Sequence, residues 1–550
     1  MKLIALVVKK YPGVFEEQII KFTDEYKIDY DFENNSLYIE NNQEYVKDFY
    51  DKQIYNISLI AGINGTGKSS ILNMLIHYDI LQNTRSMIEK PTYCIVFKDK
   101  AGVLVEYTDG FLNKDSELSI NNNKTYSFSK QRKNKIHKVV DNIENSNEQF
   151  IDILKEYTML GYLDTQFKEK FKRWSSYKEN LKKENIIKRN YSELAPDNIY
   201  KTFKRLYRRK IINSNLTYKF DMRWENIYEI FSNNGLRKKA CFEDIKNFCE
   251  NFSNLDMNRE CNEEYRFKFW QIIKDIMKSS NNNTMVTLDP FQHRNQNFVV
   301  VTIMCGTDSI NDESINILNE IYKDYWTNKK GNRRRDIAEL ELSMSTGEVN
   351  IIAYVSQINQ IKENATPDRN YIIIIDEPEV GMHLEWSRGF IDFIVSEVKE
   401  NEDSTKSHSF QFIFTTHSPF MLSDIKPDNV ISLEKKHGKT VVKEHTNTFA
   451  KNIQEIMNDD MFISNIYGDF ALSKINSLIK ELREEKVENS GNLLKEINMI
   501  GEPILRNKLL DMYHQKFDTS EDLNRTLLDK MNLTTEERQK ILDILDKKNN

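Results

Sequence analysis

Apolar residues along this chain follow two periods, and the switches between them set the expected order of elements. MKLIALVVKK opens with an unbroken apolar run closed by lysines, the pattern of a strand. KIDYDF and SLYIEN flank Asn34 and Asn35, which predicts a hairpin. Residues 57–61 form an apolar run broken only by Ser58 and read as a buried strand. Beyond a glycine-rich turn, SSILNMLIHY places Ile71, Leu72, Leu75 and Ile76 at helical spacing, so the order there is strand, loop, helix. Residues 93–97 and 103–107 predict another strand pair. From about 140 to 285 the chain is charged and aromatic, with few glycines and no sustained heptads, which predicts a compact helical insertion rather than a coiled coil. Strand character returns at 298–303, 371–375 and 412–415. Beyond about 440 the pattern is helical again, and Leu533, Thr534 and Glu537 spell a staple and capping box for a last helix.

Composition narrows the class. The 550 residues suffice for about three or four domains. With 39% hydrophobic residues, 29% charged residues and a mean hydropathy of −0.63, no apolar run approaches the roughly 18 residues of a membrane span, so no membrane partner is expected. The N-terminal run has no small-residue cleavage site, and a cytoplasmic location is expected. Cys94, Cys241, Cys249, Cys261 and Cys305 contain no CxxC pair, which argues against a disulfide framework or a zinc site.

Charge changes the picture further. The net charge is −6, yet residues 166–215 hold 15 Lys/Arg against five acids, interleaved with Phe167, Phe171, Trp174, Tyr191, Tyr200, Phe203 and Tyr207. Cations for phosphates and rings for bases make nucleic acid one reading of that segment. A helical domain with buried aromatics and solvated lysines is the other. Lys329, Lys330, Arg333, Arg334 and Arg335 form a second basic cluster, open to the same two readings.

Four motifs carry chemistry. Gly62 to Ser69, GINGTGKS, fits GxxxxGK[ST] between a predicted strand and a predicted helix, the context of a P-loop. Backbone N–H groups there curl around phosphates, Lys68 reaches the β- and γ-phosphates, and the Ser69 hydroxyl ligates Mg²⁺. Asp376 and Glu377 end the apolar run YIIII, at the strand terminus where open α/β sheets bind ligands; they suit Mg²⁺ and an attacking water respectively. His417 follows the strand FIFTT and suits contact with a γ-phosphate. Ser345, Gly347 and Glu348 open a helix, an anion site by their backbone N–H groups. The plainer alternatives are a solvated strand end, a structural histidine and an ordinary helix start.

GINGTGKS, MSTGE, IIIIDEPE with the following GMHLEW, and TTHSPF together resemble the ABC-type ATPases, in the non-transporter branch of RecF, SMC and Rad50-like proteins. Within it, DEPE followed by TTHSPFML is similar to the overcoming-lysogenisation group. TFAKNIQEIMNDDMFI, GDFALSKI and IGEPILRNKLLDMY resemble the PtuA-type ATPases of Septu anti-phage systems. The resemblance implies an α/β fold: an ABC-type P-loop ATPase head split by a mainly helical insertion, plus a helical C-terminal domain. Its implied boundaries are 1–139 (Walker A), 140–290 (insertion), 291–439 (signature, Walker B, switch histidine) and 440–550.

What the resemblance implies for function follows the same residues. ATP and Mg²⁺ are the expected cofactors. Gly62, Asn64, Gly65, Thr66, Gly67, Lys68, Ser69 and Ser70 are expected on the nucleotide, with Ser345, Gly347 and Glu348 contributed across a homodimer or higher oligomer. Ser69 and Asp376 are the expected metal ligands, and Glu377, Lys68 and His417 the catalytic residues. The glutamine that ligates Mg²⁺ in this class has two candidates, Gln166 and Gln292. The implied role is a regulatory ATPase of an anti-phage system, controlling a separate HNH-type nuclease through ATP-dependent dimerisation. Nucleic acid is a further candidate partner. A RecF-type repair ATPase, an ATPase of another defence system such as PARIS, and a scaffold that binds ATP without hydrolysis are the alternatives. No heptad arm or CxxC hook suggests Rad50, and the intact Glu377 and His417 speak against a scaffold. Ile475, Leu478, Ile479 and Leu482 form a helical stripe that suits either a docked partner or the chain's own packing.

Overall fold

A computed structural model describes residues 2–77, 89–98, 100, 102–113, 117–127, 136–141, 196–212, 345–363, 370–399, 408–443, 447–459, 467–484, 490–517 and 537. It also describes backbone strands at 159–160, 186–187, 216–222, 285–293, 296–305 and 337–341. Gln166, Cys241, Cys249, Cys261, Leu533, Thr534 and the 329–335 cluster lie outside the described residues.

The long apolar runs become neighbours in one sheet. Nine strands matter for the site: β1 (Lys2–Tyr11), β2 (Phe15–Lys21), β3 (Ile54–Gly62), β4 (Thr92–Lys98), β5 (Val103–Thr108), β6 (Asn370–Asp376), β7 (Ser409–Thr416), β8 (Val430–Lys436) and β9 (Lys439–Lys443). Among the described residues they lie in a 13-stranded sheet in the order β5-β4-β1-β2-β9-β8-β3-β7-β6, continued by short strands at both ends. β8, β3, β7 and β6 run parallel, while β5, β4, β1 and β2 are antiparallel. Pro12 and Gly13 (φ +73°) form the turn between β1 and β2, which the Val14 N–H closes on the Tyr11 carbonyl at 3.0 Å.

Both faces of the parallel strands are covered. On one, Ile60, Ile374, Ile413, Ile431 and Leu433 pack with Ile71, Leu72 and Leu75 of helix α1 (Lys68–Leu75). On the other, Phe410, Phe412 and Phe414 stack along β7 at 6.1 and 5.8 Å, since alternate strand positions share a face. The helices after α1 are α2 (Pro196–Arg208), α3 (Thr346–Glu363), α4 (Leu384–Arg388) and α5 (Phe390–Lys399), and the ladder meets α5, behind which lies α3. Phe390 of α5 lies edge-on to Phe414 at 5.8 Å and to Tyr354 of α3 at 6.0 Å. The expected hairpin is present as Tyr26–Asp31 and Ser36–Asn41, which pack Ile28, Leu37 and Ile39 against Ile4 and Val7 of β1. Cys94 of β4 is a buried free thiol, and burial pushes its pKa up.

The insertion differs from expectation. Its described residues include α2, but Leu216–Met222 pairs antiparallel with Gln296–Cys305 and Ile337–Glu341, and Met285–His293 joins as a fourth strand. The described part is therefore mixed rather than mainly helical. LTYKFDM alternates in period 2, yet its partners lie far ahead in the chain, and the helical pattern read over the window around it hid the signal. Gln292 sits on the Met285–His293 strand and Cys305 ends its neighbour.

The described end of the basic segment is two-faced, with Lys201, Tyr207, Arg208 and Lys210 exposed. Tyr200 and Phe203 on α2 are buried, and Arg205 and Arg209 both donate to the fully buried Glu397 on α5. Lys362 on α3 donates to the Glu397 and Val398 carbonyls at 2.8 Å each, capping the C-terminus of α5; burial pulls its pKa down to about 8. For Tyr200, Phe203 and Arg205 packing is the reading that fits, while Phe167, Phe171, Trp174 and Tyr191 lie outside the described residues.

The chain separates into two units at Phe462/Ile463. After β7 the first unit continues through α6 (Pro419–Ser423), then β8, β9 and α7 (Ile453–Asp459). The second holds α8 (Asp469–Arg483), α9 (Ser490–Asn498) and α10 (Pro503–Phe517). Leu478 and Leu482 of the helical stripe pack there with Leu493, Ile497, Leu509 and Tyr513, so those two positions form a core within the second unit.

Candidate nucleotide site

β3 delivers the glycine-rich turn at a crowded place. A Cβ at Gly62 would stand 2.8 Å from the Leu433 carbonyl oxygen of β8, and one at Gly67 (φ +91°) 2.5 Å from Val14 Cγ1 and 2.9 Å from Phe15 Cζ. The Thr66 hydroxyl donates to the Ile63 carbonyl at 2.8 Å and folds the loop back on itself. Gly67 caps α1 without a side-chain hydrogen bond, and no acid occupies the first turn, so the helix N-terminus keeps its donors and partial positive charge for an anion. Asn64, Gly65 and Ser69 are exposed, and Ser70 is half-buried.

Lys68 is buried at the base of this turn. Its Nζ donates to the Gly62 carbonyl at 2.9 Å and lies 2.8 Å from His417 Nε2, itself 3.1 Å from Glu377 Oε1. Burial pulls the Lys68 pKa below its ordinary value, against the opposing pull of Glu377, Asp376 and Glu379. One imidazole nitrogen cannot serve both neighbours at once: as an acceptor it takes the ammonium, as an N–H donor it faces the carboxylate. Sheet order explains the meeting. β7 lies between β3 and β6, with Thr416 opposite Ala61 and Thr415 opposite Asp376, so three distant loops leave the sheet side by side.

The carboxylates are positioned by the end of β7. The Thr415 hydroxyl donates to Asp376 Oδ1 and accepts from the Glu377 N–H at 3.0 Å, while the Thr415 carbonyl accepts from the same N–H at 3.1 Å. Glu377 is thereby fixed at φ +45°, a strained backbone for a non-glycine residue. Glu379 Oε1 accepts the Thr416 hydroxyl and the His417 N–H, both at 2.6 Å, and among the described residues its buried Oε2 has no hydrogen-bond partner.

Burial raises the Glu379 pKa. A raised folded-state pKa means that the folded state binds more protons, so this group's contribution is complete below the ordinary carboxyl pKa and falls as pH rises through the shifted one. Glu379→Gln, which keeps an acceptor and removes the titration, is expected to unfold close to wild type with a flatter pH dependence. Glu379→Ala strands two donors and should cost about 1–3 kcal/mol. Chemical denaturation across pH measures both; an alanine variant as stable as the glutamine variant would refute the clamp.

The other predicted helix start makes different contacts. The Ser345 N–H and hydroxyl both donate to Glu348 Oε2, at 3.0 and 2.8 Å, a capping box at the N-terminus of α3. A Cβ at Gly347 would lie 2.8 Å from the Gly381 carbonyl and 3.2 Å from Met382 Cα, and Asn350 Nδ2 donates to the Val380 carbonyl at 2.9 Å. Lys68, His417 and Glu377 therefore meet directly, while Gly347 and Asn350 rest on the loop after the carboxylates.

A family model described as AAA domain, putative AbiEii toxin, Type IV TA system, matches residues 57–423, more than half of the chain. The chain belongs to that family. This AAA match begins within β3, ends at α6, and so spans the P-loop, α3, the Asp376–Glu377 strand end and His417. It makes the protein a member of a P-loop ATPase family, in keeping with the large mixed sheet and its helices. The match does not reach the tail on which the Septu-type resemblance rests. No curated protein matches the sequence. Among the described residues, no helix is long and apolar enough to cross a membrane.

The residues of this AAA chain suit a nucleotide with its metal. The open helix N-terminus and the glycine cradle fit phosphates, and the exposed Ser69 with the half-buried Asp376 fits a cation that takes its remaining ligands from phosphate and water. Sequence reasoning missed Thr415 and Glu379. The available signals were a β-branched hydroxyl at the end of a strand and a third acid in DEPE, and neither has a meaning until β6 and β7 are known to be neighbours.

Proposed function

We propose that the protein is an ATP-hydrolysing regulatory subunit of an anti-phage defence system, acting in the cytoplasm as a homodimer or higher oligomer on a separate, HNH-type nuclease. The observation that carries the ATPase reading is the contact of Lys68, His417 and Glu377 at the ends of β3, β7 and β6. Gly62, Asn64, Gly65, Thr66, Gly67 and Ser70 wrap the phosphates, and Ser69 and Asp376 hold Mg²⁺, which supplies charge neutralisation when bound. Glu377 orients water, Lys68 stabilises developing charge, and His417 reads the γ-phosphate. Without nucleotide, Lys68 is satisfied by Gly62 and His417; a phosphate that draws its ammonium outward releases the imidazole, which ties occupancy to the loop that Glu379 anchors.

The role of Ser345, Gly347 and Glu348 follows from the family resemblance: each P-loop is completed by this helix start from a second chain. The defence role is supported by the family's description as a putative toxin of a toxin–antitoxin system and by the tail resemblance to Septu-type ATPases. Residues from about 440 onward are the part we assign to the nuclease, and the basic segment 166–215 with the cluster Lys329, Lys330, Arg333, Arg334 and Arg335 the part that suits nucleic acid.

Mixing two inactive variants tests the shared site. Lys68→Ala and Gly347→Asp should each abolish hydrolysis, and their heterodimer should regain part of it, since one of its two composite sites carries neither change. Verified heterodimers with no activity, formed by a Gly347→Asp chain that still binds ATP and keeps wild-type stability, would count against sites shared between chains, the stability check being needed because a side chain at 347 meets Gly381 and Met382 of its own chain. Co-purification with a co-encoded nuclease, lost on deletion of the second unit, tests the partner; retention at full stoichiometry would move the docking site elsewhere.

A further inference from the structure

We propose that Lys435 is a second cation for the phosphate tail of a bound nucleoside triphosphate, reaching the P-loop from the neighbouring strand. The inference rests on the nucleotide reading of the P-loop and deepens it. β8 pairs in parallel with β3, with Ile431 opposite Ile60 and Leu433 opposite Gly62. Ile431, Leu433 and Lys435 share a face of β8, because strand side chains alternate. The first two belong to the same core as Ile71, Leu72 and Leu75 of α1. The next position on that face therefore emerges where the core ends and the P-loop begins. Lys435 Nζ lies 3.6 Å from the point where a Cβ of Gly65 would stand.

The surrounding lysines are engaged differently. Lys436 pairs with Glu434 at 3.2 Å and Lys439 pairs with Glu16. Lys68 is buried against the Gly62 carbonyl and His417. Lys435 is exposed and, among the described residues, its side chain makes no hydrogen bond or ion pair. An unengaged ammonium beside backbone N–H groups gains a charge-assisted bond when a phosphate oxygen arrives. Being exposed, it is weaker than a buried contact and is screened by salt.

The test compares equilibrium binding of MgATP and of inorganic triphosphate to the full chain and to Lys435→Ala, Lys436→Ala, Lys439→Ala and Lys68→Ala. Lys435→Ala should bind both ligands about 5- to 20-fold more weakly, with unchanged thermal unfolding and a deficit that shrinks in high salt. Lys436→Ala and Lys439→Ala should stay within about 2-fold of wild type, their charges being already paired. Wild-type affinity in Lys435→Ala, beside a clear loss in Lys68→Ala, would overturn the inference and leave the P-loop reading standing. Equal losses in all three surface variants would also overturn it, since general surface charge would then explain them. A wild-type chain that binds neither ligand would overturn the nucleotide reading and the inference together.

Discussion

Glu377→Gln should leave ATP binding intact and lower turnover by about 10²-fold to 10⁴-fold, the range for losing a group that positions or deprotonates water. The prediction depends on the backbone staying where it is. Residue 377 is fixed at φ +45° by its own N–H, which donates to the Thr415 carbonyl and hydroxyl, and those bonds do not involve the side chain. Glutamine has nearly the same shape, so the strand end, Asp376 and the P-loop keep their positions. What is lost is a carboxylate 3.1 Å from His417 Nε2 that also supports the Lys68 ammonium. Nucleotide titration and phosphate release separate the two effects. Undiminished hydrolysis would remove Glu377 from the mechanism, and loss of binding together with turnover would make it a structural residue instead.

Gly67→Val should weaken ATP binding by roughly 30-fold to 1,000-fold. Two costs coincide at this position. A β-branched residue at φ +91° is strained by about 1–3 kcal/mol, and its Cβ would overlap Val14 Cγ1 and Phe15 Cζ, adding about 1–3 kcal/mol of overpacking. Val14 and Phe15 are themselves fixed: the Thr440 N–H of β9 donates to the Val14 carbonyl at 2.7 Å, and Phe15 is fully buried. The cheaper response is for the loop to move, and the phosphate cradle is that loop. Gly110→Ala serves as a control, since Gly110 has a similar φ of +83° but its nearest neighbour is Thr92 Cγ2 at 3.4 Å. It should lose stability without losing nucleotide. An affinity in Gly67→Val as high as in Gly110→Ala would show that the crowding at Gly67 does not reach the phosphate cradle.

Much of the head was legible because its signals are local. The runs 57–61, 371–375 and 412–415 are apolar apart from Ser58 and Thr415, and a strand covered on both faces buries such a run; β3, β6 and β7 are those strands. The P-loop is legible for the same reason, since Gly62, Gly65, Gly67, Lys68 and Ser69 stand at their fixed spacing within eight residues, with positive φ at Gly65 and Gly67; the close approaches of Gly62 to Leu433 and of Gly67 to Val14 and Phe15 were not local and could not be read. The insertion was read less well. Leu216–Met222 carries a strand pattern as short as the hairpin's, but its partners begin at 296 and 337, and composition over a window cannot report a pairing at that distance.

By itself, then, the sequence determined the strand, turn and helix of the P-loop and the order of its chemical motifs, since period, glycine and capping act within a few residues. Tertiary structure alone decided which of those motifs touch. Lys68 and His417 are 349 residues apart and become neighbours only because β7 inserts between β3 and β6, an order set by which apolar faces are covered together rather than by chain order. The same placement gives Thr415 and Glu379 their hold on the carboxylate and histidine loops, and carries Lys435 to the edge of the P-loop. Side chains that act through a neighbour across a sheet have no signature in their own segment, because their partner is chosen by the burial of residues elsewhere in the chain.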